Sequence, residues 1–166
     1  KGIAVPIAVN VSPQNLRDDD LIDRISTLLQ EAGVPAENLQ LEITETTLME
    51  DPARSFELLS RLKKQGIRIF VDDFGTGYSS LSYIATLPLY SLKIDRSFVV
   101  KMTRSKEHRA IVAAAISLAH SLGLRVVAEG VDAVDQLADL KELGCDEIQG
   151  FLFSKPLSSK DFLSWS

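Results

Sequence analysis

One unit recurs along this chain: a short apolar run rich in β-branched residues, a polar residue where the run ends, a helical stripe, a glycine, then the next run. That alternation constrains the fold more than any other feature. Strands that alternate with helices through short connections pair in parallel, joined by right-handed crossovers. The runs are Val5–Val11, Leu39–Ile43, Ile67–Val71, Tyr90–Ile94, Leu124–Ala128 and Glu147–Phe153. Between them, Leu21, Ile22, Ile25, Leu28 and Leu29 keep helical spacing up to Gly33. Ser12-Pro13 is read as a turn, and Asp51-Pro52 as a helix start whose stripe is Phe56, Leu59 and Leu62, closed by Gly66. Ser79-Ser80 can cap a helix carrying Leu81 and Ile84. A long helix is expected over Glu107–Leu122 with Ile111, Val112, Ala115, Leu118 and Leu122 inward, and another over Ala133–Leu143. Ser158 and Asp161 predict a capping box on a short terminal helix.

A closed barrel and an open doubly wound sheet both satisfy this grammar. The polar residues favour the barrel. Asn10, Glu42, Asp72 with Asp73, Lys93 with Asp95, Glu129 and Gln149 come from six different strands, each near the end that leads onward into a helix. In a (β/α)8 barrel those ends meet at one mouth, whereas an open sheet would spread them along an edge. Such a barrel needs eight units and about 200 to 250 residues. Six strands in 166 residues therefore lead us to expect that two units precede Lys1.

The most informative stretch is IRIFVDDFGTGYSSL, from Ile67 to Leu81. Its apolar run meets two adjacent acids, Asp72 and Asp73, before a loop containing Gly75 and Gly77. Neighbouring strand residues point to opposite faces, so both acids can share a site only where the strand unravels. Glu42, Asp72, Asp73, Glu129 and Asn10 are hard oxygen donors, suited to Mg²⁺ or Mn²⁺ rather than zinc. Crowded carboxylates repel, so a fold that gathers them needs a cation or a proton among them. Lys93 could then stabilise a phosphoryl oxygen or hold an attacking water. Two ions about 3.5 to 4 Å apart would serve an in-line displacement.

Composition narrows the partners. A net charge of -5 argues against a polynucleotide ligand. The single cysteine, Cys145, excludes an intrachain disulfide and a cysteine-based zinc cluster, and suits a reducing cytoplasm. The longest apolar run, Ala110–Ala119, is about half a membrane span. Asp73-Phe74-Gly75 copies a kinase tripeptide without the loops that accompany it there. Gly75-x-Gly77 lacks the third glycine of a dinucleotide fingerprint. His108 and His120 are read as ordinary helix residues, and Lys101, Arg104 and Lys106 as solvated surface.

In this order, VNVSPQNL, LEITET, VDDFGTGYSSL, LKIDRSF, VVAEGV and ELGCDEIQGFLFSKP closely resemble the EAL-domain family of cyclic di-GMP phosphodiesterases. The resemblance spans essentially the whole chain and implies a TIM-barrel-like (β/α)8 fold, of which residues 1–166 would be a partial domain, about the carboxy-terminal three-quarters. It implies hydrolysis of cyclic di-GMP to linear pGpG with Mg²⁺ or Mn²⁺, two ions in the complete domain. Asn10, Glu42 and Asp72 then resemble metal ligands, with Asp73 at the second metal. Lys93 resembles the lysine that orients the catalytic water, Glu129 a glutamate of metal support or general-base duty, and Gln149 the glutamine lining the site. Glu45 resembles the acid that anchors the Asp72–Ser80 loop with Gly75 and Gly77; Asp95 joins these supporting residues. A homodimer fused to sensor or other signalling domains is implied, cytoplasmic even where the parent protein is membrane-anchored through another domain.

Departures accompany the resemblance. The glutamate of the Glu-Ala-Leu signature is absent, and Glu31-Ala32-Gly33 sits at a helix end and cannot replace it. The fragment by itself is therefore expected to be weak or inactive. Asp132 stands where the family often has a second glutamate. Two other functions compete: a module that binds cyclic di-GMP without cleaving it, and an enolase-like barrel in which Lys93 acts as a base beside a carbonyl.

Overall fold

The computed structural model describes residues 5–77 and 81–165. The expected cap at Ser79-Ser80 lies outside the described residues. Six strands form one wholly parallel sheet whose spatial order is its chain order: β1 (Ile7–Asn10), β2 (Leu39–Thr44), β3 (Arg68–Phe74), β4 (Ser91–Ile94), β5 (Arg125–Ala128) and β6 (Glu147–Ile148). Between β1 and β2 lie α1 (Pro13–Leu16) and α2 (Leu21–Ala32), and β2 passes into α3 (Glu45–Glu50) and α4 (Pro52–Lys64). After β3 comes α5 (Leu81–Ile84); after β4, α6 (Arg96–Met102) and α7 (Lys106–Ser121). The helix α8 (Val134–Glu142) joins β5 to β6, and α9 (Ser159–Trp165) ends the chain. Among the described residues no helix is long and apolar enough to cross a membrane.

Register decides which residues share a face. Ile43, Val71, Leu92 and Val126 lie opposite one another across β2–β5, and all are buried beneath the helices. The helices press Leu59, Leu62, Val99, Val112, Ile116 and Leu140 onto that face. Burying each such side chain stabilises the fold by roughly 1.5–3 kcal/mol. Because strand side chains alternate, intervening positions such as Arg68 and Phe70 face the concave side; the Tyr90 ring, just before β4, lies 5.5 Å from the Phe70 ring at a tilt of 47°, with the Arg68 guanidinium 4.9 Å from the Tyr90 ring.

The sheet curls into a half-barrel. At its first strand, Val5 and Ile7 line one cavity of about 630 Å³ with Leu157 and with Phe162, Leu163 and Trp165 of α9. Several local expectations need correcting. Ser12-Pro13 does not merely turn the chain but caps α1 through a box with Asn15. Two helices have no counterpart in the sequence pattern: α3, which begins at Glu45 straight from β2, and α6. Phe56, Ile111 and Leu28 are exposed rather than inward. Phe56 and Ile111 each sit one residue, about 100° of helical rotation, from the buried lines Ser55–Leu59–Leu62 and Val112–Ile116–Ala119. The sixth strand is only two residues long, because Gly150 and Val131 meet in loop conformation immediately beyond it. The terminal helix forms as expected, with Asp161 N–H donating to Ser158 Oγ at 3.2 Å.

Candidate active site

Strand parity puts the polar residues of the sequence pattern on one face. Asn10 pairs with Glu42, Glu42 with Phe70, Phe70 with Ser91, and Ser91 with Arg125. Counting in steps of two from those pairs assigns Asn10, Glu42, Asp72, Lys93, Glu129 and Gln149 to the concave side. They are not level. Asp72 lies opposite Thr44, one pleat above Glu42, as the stagger of a curling sheet requires. A long side chain at Lys93 can bridge these layers.

It does so. Lys93 Nζ lies 2.8 Å from Glu42 Oε1, 3.2 Å from Asp72 Oδ1 and 2.6 Å from Glu129 Oε1, with its side chain only 4% exposed. Burial by itself would lower the pKa of this ammonium, but hydrogen bonds and charges of Glu129 and Glu42 outweigh burial and hold the lysine well above its ordinary pKa. Three carboxylates sharing one cation leave an excess of negative charge. Glu129 carries part of the cost: burial, with Asp72 and Glu42 nearby, raises its carboxyl pKa despite the pull of Lys93.

Asp73 occupies the place where the strand unravels. The register between β3 and β4 shifts between Val71 and Phe74, and Asp73 takes a left-handed φ of 55°, its N–H donating to Asp72 Oδ1 at 3.0 Å. Burial, then the charges of Asp72 and Asp95, raise the Asp73 pKa. Asp95 caps α6, accepting the Ser97 N–H at 3.0 Å. Glu45 is buried at the head of α3 and accepts the Gly75 N–H at 3.0 Å. A β-carbon on Gly77 would stand 3.5 Å from Glu45 Cδ. Glu42, Asp72 and Glu129 therefore meet on Lys93, with Asp73 and Asp95 in electrostatic reach. Asn10 stands exposed on β1 beside Glu42. Gln149 does not join the lysine cluster; it lines a neighbouring cavity of about 330 Å³ with Glu129, Arg96, Asp132, Phe151 and Lys155.

Sequence reasoning missed what joins the loops of that cavity. Arg96 Nη2 lies 2.7 Å from Asp132 Oδ2, and Asp132 Oδ1 accepts the Phe151 N–H at 3.1 Å. Nothing in the spacing of residues so far apart in the chain signals this pairing.

The oxygen donors suit a hard divalent cation, since no sulfur or imidazole stands among them. They already surround a cationic centre. Among the described residues, however, no three His, Cys, Asp or Glu side chains are grouped to hold a metal ion, because Glu42, Asp72 and Glu129 turn onto Lys93. The donor chemistry fits a metal, and the lysine occupies the centre of the group.

A parallel half-barrel that collects acids and one buried lysine at the carboxyl ends of its strands defines a barrel-type α/β protein with a polar site at the mouth. This chain belongs to the EAL domain family, whose model matches residues 2–156. It is 46% identical over 151 residues to the cyclic di-GMP phosphodiesterase NbdA of Pseudomonas aeruginosa, covering 91% of this chain and 19% of that protein. The structure of the PaMucR phosphodiesterase in complex with c-di-GMP superposes with a TM-score of 0.91 at 39% identity, covering 95% of this chain and 64% of that one. Klebsiella pneumoniae BlrP1, in a manganese and cyclic di-GMP complex, superposes with a TM-score of 0.85 at 32% identity over 91% of this chain and 39% of that one. The chain spans about a fifth of the length of curated relatives such as NbdA.

Proposed function

We propose that this domain, within its full-length protein, hydrolyses cyclic di-GMP to linear pGpG in a reaction that requires Mg²⁺ or Mn²⁺. The observation that carries this reading is the convergence of Glu42, Asp72 and Glu129 on buried Lys93 in a chain of the EAL family. The cyclic di-GMP and manganese in the BlrP1 complex support the ligand and the metal. Asn10, Glu42 and Asp72 would hold one ion and Asp73 would serve a second. Bound there, such ions acidify water and offset charge developing on a phosphoryl group.

The chain's own groups have separable tasks. The Lys93 ammonium, kept protonated by its acids, donates hydrogen bonds to water or to a phosphoryl oxygen. Glu129, its pKa raised by burial, is suited to accept a proton from the attacking water. Water adds to phosphorus as one P–O3′ bond breaks, and the proton ends on the released 3′ oxygen, so the ring opens with no change of oxidation state. The cavity beside Glu129 offers Gln149 for hydrogen bonding, Arg96 and Lys155 for phosphate charge and the exposed Phe151 ring for a purine face. The length of relatives such as NbdA supports a domain that works inside a larger signalling protein. We place that protein's EAL domain in the bacterial cytoplasm, acting as a homodimer.

Incubating the full-length protein with cyclic di-GMP and Mn²⁺ should yield pGpG. Asp72→Asn should lower turnover by about a thousandfold or more while the circular dichroism spectrum is unchanged. Binding of intact ligand without cleavage would instead make the domain a sensor, and near-normal turnover in the variant would overturn the metal assignment.

A further inference from the structure

The segment 73–77 leaves β3 through two left-handed residues, Asp73 at φ 55° and Gly75 at φ 93°. Glu45 supplies one tether by accepting the Gly75 N–H. A second comes from α6. A β-carbon on Gly75 would stand 3.3 Å from Phe98 Cε2 and 3.5 Å from Phe98 Cζ, so the edge of this ring packs against the glycine itself. Phe98 is backed in turn by the His108 ring of α7, with centroids 6.4 Å apart at 44°. His108 is fixed by the Ser105 cap, whose Oγ lies 3.2 Å from the His108 amide nitrogen and 2.9 Å from Nδ1. Asp95, which caps the same first turn of α6, adds its charge to Asp73. One column of side chains thus runs from the α6–α7 corner to the loop that carries the second aspartate.

We infer that Phe98 is a positioning residue: by bearing on Gly75 it fixes the course of segment 73–77 and thereby the aim of Asp73. The inference rests on the phosphodiesterase reading for its functional consequence, but its structural content does not. A ring that merely filled the core would support the sheet as a whole; this one meets the loop at its left-handed glycine.

Amide hydrogen exchange in the full-length protein reads the loop without metal or turnover. Phe98→Ala should speed exchange over residues 73–77 by about tenfold or more while β4 and β5 stay within about twofold of the parent. Phe98→Leu, which keeps most of the apolar bulk, should restore most of the protection. Unchanged exchange in 73–77, or acceleration spread evenly over the sheet, overturns the inference. In the turnover assay Phe98→Ala should raise the Mn²⁺ concentration for half-maximal rate about tenfold and leave the KM for cyclic di-GMP within about twofold. Absence of turnover by the parent protein would sink the phosphodiesterase reading alone, since the exchange result stands independently.

Discussion

Lys93 holds together three carboxylates that would otherwise repel one another in a poorly hydrated place. Removing one partner of a buried ionic group leaves uncompensated charge, which costs about 3–5 kcal/mol. Lys93→Met should therefore lower the melting temperature substantially, and more at pH 8 than at pH 5, where a proton can replace the missing ammonium. An equal loss at both values would contradict the charge argument. The pH dependence of the parent protein follows from Glu129 and Asp73, both raised in the folded state chiefly by burial. Their contribution to stability is complete below the unfolded carboxyl pKa and is lost as pH rises through the folded one. Lys93, raised from an already basic value, adds no slope in that window. Melting temperature should thus fall as pH rises from the ordinary carboxyl value through the raised one, and Mn²⁺ should recover more of it above that range, by binding only the folded state. A manganese effect that is larger on the acid side of that range would oppose this account.

The elements around the site are locked by backbone contacts at their ends. Val131 N–H donates to the Gln149 carbonyl at 3.1 Å, and Leu152 N–H donates to the Val131 carbonyl at 3.0 Å, tying the exits of β5 and β6 together. Gly150 sits inside this crossing: a β-carbon there would fall 2.1 Å from Val131 O and 2.4 Å from Val131 N, both backbone atoms. At Gly130 the nearest atoms are Cβ, Cγ and Cδ of Arg96, the part of that side chain tied to its own backbone, and φ is 68°. Gly150→Ala, which meets backbone, should accordingly cost about 3 kcal/mol or more and Gly130→Ala, which meets side-chain atoms, about 2–3 kcal/mol, read as shifts in denaturant midpoint. The reverse order would mean that the β5–β6 crossing is softer than its contacts indicate.

Across the whole molecule, β1 and β6 each pair on one side only among the described residues, and an apolar trough lies between β1 and α9. Ile7 is 62% exposed and Trp165 60%. Unpaired parallel edges flanked by apolar side chains invite association. A polypeptide of residues 1–166 expressed alone should self-associate at micromolar concentration, and Ile7→Lys with Val9→Lys should shift it towards monomer in sedimentation velocity. A parent fragment that stays monomeric, or charged variants that associate as readily, would count against the edge as the sticky surface.

Much of this was legible in the sequence, for a physical reason: periodicity and strand-end polarity are local properties that survive in a one-dimensional string. The parallel order of the six strands, the concave-side placement of Glu42, Asp72, Lys93 and Glu129, and the break at Asp73 all follow from alternation. Only the tertiary structure decided that the three acids close on the lysine rather than stand apart, because stagger between strands sets which layers a side chain can reach. It also decided that Phe56 and Ile111 face water, since the rotation of a helix about its axis is settled by what it packs against. The Arg96–Asp132 bridge and the Phe98–Gly75 contact had no sequence signal at all, for each joins residues whose proximity exists only after the sheet has curled.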